Sequence, residues 1–107
     1  MEGTYKYIKQ VPLPGQDVPQ DSILSQTLYE NDQVKAILFR FAPEQELSEH
    51  TASVPAILHF LEGEARLVLG EDEKPAQPGT WVYMPAKQPH SIAAKTYLSM
   101  LLYLLES

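Results

Sequence analysis

Apolar positions recur along the chain in short runs, with turn-forming residues between them. Val34 to Phe41, Ala56 to Leu61, Ala65 to Leu69, Trp81 to Met84 and Tyr97 to Leu105 are each of strand length, and no long segment carries helical caps. Runs of this length, rich in β-branched and aromatic residues that pack on pleated faces, predict an all-β sandwich or barrel. A further strand is predicted over Ser22 to Tyr29, closed by Glu30-Asn31-Asp32, whose side chains bond readily to their own backbone. Leu69 to Lys74 reads as a tight hairpin, and Glu62-Gly63-Glu64 as a bend that depends on glycine. After Ser99 the chain is continuously apolar to Leu105, a pattern of burial on both faces that also suits a short helix; eight residues favour the strand.

The first thirty residues are less regular. Tyr5, Tyr7 and Ile8 suggest a short strand, which Pro12, Pro14 and Pro19 then interrupt. This stretch predicts an arm that wraps the rest. With 107 residues, 44% of them hydrophobic, the chain can bury one core, so residues 1–107 read as one domain. Residues 1–30 supply the arm and first strands, and residues 33–105 the barrel core.

Composition narrows the chemistry. Fourteen acidic residues against eight basic ones, with no Lys/Arg block, give a net charge of -6 and none of the electrostatic footprint of a phosphate-backbone binder; nucleic acid is not an expected partner. Without cysteine there is no disulfide framework and no thiolate site, which leaves imidazole and carboxylate as the strong metal ligands. No apolar stretch is long enough to span a membrane, and Met1-Glu-Gly-Thr-Tyr-Lys6 lacks the basic-then-apolar pattern of a leader, so a cytoplasmic location is expected. No G-x-S-x-G motif and no glycine-rich loop before a helix point to triad hydrolysis or nucleotide binding.

His50 is followed thirteen residues later by Gly63, and Gly79-Thr-Trp-Val-Tyr-Met-Pro85-Ala-Lys-Gln-Pro-His90 ends in a second histidine. Across residues 33 to 105 these segments resemble the two signature motifs of the cupin family. Set against G-x5-H-x-H-x(3-4)-E-x6-G, the first has Ala52 in place of the second histidine and Ala56 in place of the glutamate. Set against G-x5-P-x-G-x2-H-x3-N, the second keeps Gly79, Pro85 and His90, while Lys87 stands for a glycine and Ala94 for the asparagine. The resemblance implies a double-stranded β-helix, or jelly-roll barrel, with an open mouth. It also implies that His50 and His90 point into that mouth as ligands of a divalent transition metal such as Zn, Fe, Mn, Ni or Cu.

His59 is the remaining histidine and the candidate third ligand. Were His50 to Phe60 one regular strand, His50, Ala52, Ala56, Leu58 and Phe60 would share a face and His59 would lie on the other; a bulge near Val54-Pro55 would reverse that. Glu44, Glu46 and Glu49 are the carboxylates available for a 2-His-1-carboxylate set, and Glu46 shares strand parity with His50. Ala52, Ala56, Leu58, Phe60, Trp81, Tyr83 and Met84 are the candidate walls of a small-molecule pocket, although Leu58 and Phe60 read also as core. Two functions are expected: metal-dependent oxidoreductase or isomerase chemistry on a small molecule, or metal-free ligand binding as a sensor. The arm, the half-apolar strand over 34–41 and the apolar C-terminal strand suit a homodimer, in which pairing covers an exposed edge or face.

Overall fold

A computed structural model describes residues 4–12 and 17–106. Nine strands among them form two antiparallel sheets: β1 (Ile23–Glu30), β2 (Val34–Phe41), β3 (Glu46–His50), β4 (Ala56–Glu62), β5 (Ala65–Leu69), β6 (Asp72–Ala76), β7 (Trp81–Met84), β8 (His90–Ala94) and β9 (Leu98–Leu105). One sheet runs β1-β2-β9-β4-β7 and the other β3-β8-β5-β6. The expected all-β jelly roll is what forms, with no helix among the described residues, and so none long and apolar enough to cross a membrane.

Alternation along the strands builds the core between the sheets. In β4, Ala56, Leu58 and Phe60 are buried while Ile57, His59 and Leu61 are half-buried. The registers Leu58 to Leu102, Phe60 to Met100 and Phe41 to Leu98 align apolar side chains on one face of the five-stranded sheet. Ala65, Leu67, Ile92 and Ala94 answer them from the four-stranded sheet. Gly63 turns the chain between β4 and β5 at φ +85, where a Cβ would collide with the backbone carbonyl of Tyr97; glycine is required there for both conformation and space.

Three strands lack the apolar signal. β3 (Glu-Leu-Ser-Glu-His) is mostly exposed, and β6 is a polar edge strand that tolerates Pro75 because an edge residue can leave a ladder position unpaired. β8 is only five residues long, and three of them are buried. In the arm, Tyr5, Tyr7 and Ile8 form no strand and are exposed, contrary to the expectation from their alternation; Pro14 and Gly15 lie outside the described residues. The arm does lie along the barrel. Val18 is buried, Arg40 donates to the Asp17 carboxylate at 2.8 Å, and Thr4, Tyr5, Lys6 and Ile8 border a surface cavity of about 400 Å³ shared with Leu28, Tyr29, Val34, Ala36 and Tyr103. Arg40 also holds the Asp17 carboxyl below its ordinary pKa.

Candidate functional site

β3 and β8 are hydrogen-bonded neighbours, and His50 at the end of one faces His90 at the start of the other. Their ring centroids are 4.2 Å apart with the planes tilted by 58°. A β-bulge makes this meeting possible. Leu47 pairs with Ile92 and His50 with His90, so three steps along β3 match two along β8. In a regular strand residues three apart point to opposite faces; the extra residue brings His50 to the inner face that Leu47, Ile92 and His90 share. The same bulge breaks the parity between Glu46 and His50. Glu46 pairs with Ala93, on the outer face, and does not join the histidines.

Each ring is held in the same way. His50 Nδ1 donates to the Ser48 carbonyl at 2.8 Å, and His90 Nδ1 donates to the Gln88 carbonyl at 2.9 Å. A carbonyl oxygen only accepts, so each Nδ1 carries a proton, and Nε2 is the nitrogen left to offer a lone pair to a ligand. A backbone acceptor on one nitrogen that leaves the other free is the arrangement that orients metal-ligating histidines. The acceptor stands two residues before its histidine in both cases, a spacing visible in Ser48-Glu-His50 and Gln88-Pro-His90 but not one that side-chain reading singles out.

His90 is 4% exposed, whereas His50 is open to solvent. Burial pushes the His90 pKa below its ordinary 6.5; the Gln88 carbonyl opposes this, and the nearby His50 adds to the lowering. The ring is therefore neutral near pH 7, the state a metal ligand needs. The loop between β7 and β8 is pinned around it. The Lys87 N–H donates to the Ala52 carbonyl at 2.7 Å, the Gln88 side-chain amide to the Pro89 carbonyl at 3.1 Å, and the Gly70 N–H to the same Pro89 carbonyl at 2.9 Å.

His59 lies elsewhere. The chain leaves strand geometry after His50 and resumes it at Ala56, and in β4 His59 pairs with Trp81 on one side and Leu101 on the other. Ala56, Leu58 and Phe60 point to the core, so His59 points to the outer face of the five-stranded sheet, away from the histidine pair. No bulge at Val54-Pro55 turns it inward. Among the described residues no group of three His, Asp or Glu side chains is placed to hold one ion, so Glu44, Glu46 and Glu49 do not complete a facial set.

The expected pocket walls divide in two. Ala56, Leu58, Phe60 and Met84 are buried in the core between the sheets, and neither surface cavity, the one under the arm or one of about 250 Å³ beside Arg66 and Lys95, borders them. Trp81 and Tyr83 alternate with Val82 and Met84, so they face outward, 58% and 52% exposed, and wall no pocket in the barrel. Ala52 remains half-buried at the mouth, beside the loop that carries Lys87.

A family model described as a cupin domain matches residues 37–104, well over half of the chain. The protein belongs to the cupin family. Its fold is similar to that of a cupin superfamily protein from Desulfitobacterium hafniense, with a TM-score of 0.82 and 26% identity over 99% of this chain and 100% of that one. A conserved Streptococcus pyogenes protein of unknown function is similar at a TM-score of 0.79 and 25% identity, covering 100% and 96% of the two chains. An RmlC-like cupin from Desulfovibrio desulfuricans, 22% identical with a TM-score of 0.73 over 98% and 97%, shares the fold. Among curated proteins none matches this cupin by sequence.

Proposed function

We propose that this cupin binds a divalent transition metal through Nε2 of His50 and His90 at the barrel mouth, and that a small molecule occupies coordination positions the protein leaves open. The observation that carries the reading is the matched pair of rings, 4.2 Å apart, each with its Nδ1 proton committed to a backbone carbonyl. Imidazole is a general ligand for Zn, Fe, Mn, Ni and Cu, and two imidazoles alone make a weak site. A bound ion would supply Lewis-acid polarisation of an oxygen on the small molecule, which suits oxidoreductase or isomerase chemistry. The chain's own part is to fix the two rings and keep His90 neutral.

Elemental analysis of purified protein, with thermal denaturation during titration of Zn, Ni, Mn, Fe and Cu salts, tests this. One ion per chain or a metal-dependent rise in Tm is expected, and both are lost in His50→Ala and His90→Ala. No metal and no shift with any of the five ions would remove the reading. The two-ligand count favours a second reading, a metal-free module in which the rings serve as polar contacts for a small ligand. It gains if ligands shift the Tm while metals do not. In either case we propose that the protein pairs as a homodimer, and the exposed Trp81 and Tyr83 support the outer face of β7 as the pairing surface.

A further inference from the structure

We propose that Lys87 anchors the carboxylate of a small anionic ligand held at the mouth beside His50 and His90. The inference deepens the functional reading above, on which it rests for the site, and adds the chemical class of what binds there.

The starting observation is backbone strain. Three non-glycine residues among those described have positive φ: Asp21, Glu44 and Lys87, the last at +68. Aspartate visits this region readily, and Glu44 sits at the far end of β3, where its N–H meets the Ala94 carbonyl rather than the histidines. Only Lys87 is both strained and at the mouth. Its conformation is imposed by the tie of its N–H to Ala52, by the Gln88 N–H reaching back to Pro85, and by the Gln88 carbonyl that holds His90. Glycine would take this conformation without cost. A lysine there is unfavourable for the backbone, and strain kept at the rim of a site points to a use for the side chain.

Position and charge say what that use is. Lys87 is three residues before His90, and its backbone touches the carbonyl of Ala52, two residues after His50, so it stands between the two histidine segments. The ion pairs among the described residues engage Arg40 and Arg66; Lys87 is exposed and, like the other described lysines, makes none, so what sets it apart is its place on the loop between the histidine segments. Imidazole lone pairs cannot hold an anion by charge, whereas the ammonium of a lysine on the loop tied to both histidine segments can. A compact point charge with three donors suits a carboxylate, and a single such cation on a chain of net charge -6 suits a monoanion better than a phosphate dianion.

The test is calorimetric titration with benzoate and its neutral isostere benzamide, on metal-free protein and again with one equivalent of nickel. Benzoate is expected to bind about tenfold more tightly than benzamide. Lys87→Gln should remove that margin, and Lys87→Arg should keep it within about threefold. Lys87→Gly should lose the margin while raising Tm, a combination that an idle surface lysine would not give. Equal affinity of wild type and Lys87→Gln for benzoate, no preference of the wild type for benzoate in either metal state, or a Tm for Lys87→Gly at or below wild type would each overturn the proposal. Nickel affinity measured in parallel keeps the two claims apart. Its absence removes the metal centre, and the benzoate comparison on metal-free protein still decides the role of Lys87.

Discussion

The two faces of the five-stranded sheet are built from the same strands and have opposite fates. On the inner face of β4 and β7, Ala56, Leu58, Phe60, Val82 and Met84 pack against β9 and the second sheet. On the outer face the alternate residues are Ile57, His59, Trp81 and Tyr83, and the two aromatics are more than half exposed. The arm covers the other end of that face, where Leu38 is buried and Asp17 grips Arg40, but its described residues are not what covers the β7 end. The difference teaches that hydrophobicity in this chain marks two separate requirements. One side is apolar because it is interior, while the other leaves two large aromatics exposed, the feature on which the proposed dimer surface rests.

Phe60→Ala should break the inner face. The ring is fully buried between the sheets, and its loss is expected to cost about 3–5 kcal/mol in chemical denaturation, a large share of the total stability of a chain this size. Trp81→Asp tests the other side. Because Trp81 is exposed, the change should alter monomer stability by less than about 1 kcal/mol while weakening self-association about tenfold or more in sedimentation. A wild-type protein that stays monomeric at high concentration would rule out this face as a dimer surface. A Trp81→Asp loss as large as that of Phe60→Ala would show that the two faces are not distinct in the way described.

A third contrast is in proton binding. His90 sits on the inner face with its pKa lowered by burial, so the unfolded chain takes up a proton more readily than the folded one as pH falls through 6.5. Stability is therefore full above that pH and declines below it until the folded ring itself titrates. Thermal scans of metal-free protein between about pH 7.5 and 5.5 should show this decline, and His90→Gln should flatten it. An unchanged slope in the variant would mean that the buried ring is not its source.

These contrasts also explain what could be read in advance. β1, β2, β4, β5, β7 and β9 were legible as strands, and the meeting of His50 with His90 was legible through the cupin resemblance that the glycine and proline positions carry. Residues 46–50 were not, and of β6 only the hairpin that starts it was, since edge and rim strands have one solvated face and carry mostly polar residues. The bulge in β3 left no mark on composition. It is a backbone event that changes parity, so Glu46 counts as a partner of His50 on paper and lies on the other face in the fold. Trp81 and Tyr83 were misplaced for a simpler reason. In a four-residue strand only alternate positions can face inward, and Val82 and Met84 take them.

The smallest expected effect discriminates most finely. His59 is as capable a ligand by chemistry as His50, and only its place on the outer face, between Trp81 and Leu101 in the register, separates it from the pair. His59→Ala should therefore leave metal affinity at the mouth unchanged, against outright loss for His50→Ala. The reason is structural: a side chain at an odd position of β4 cannot reach the inner face unless the strand slips by one residue, which would expel Leu58 and Phe60 from the core. If His59→Ala did weaken metal binding, the ion would have to be drawn to the outer face, where His59 stands beside Trp81, and the assignment of the two faces would be reversed.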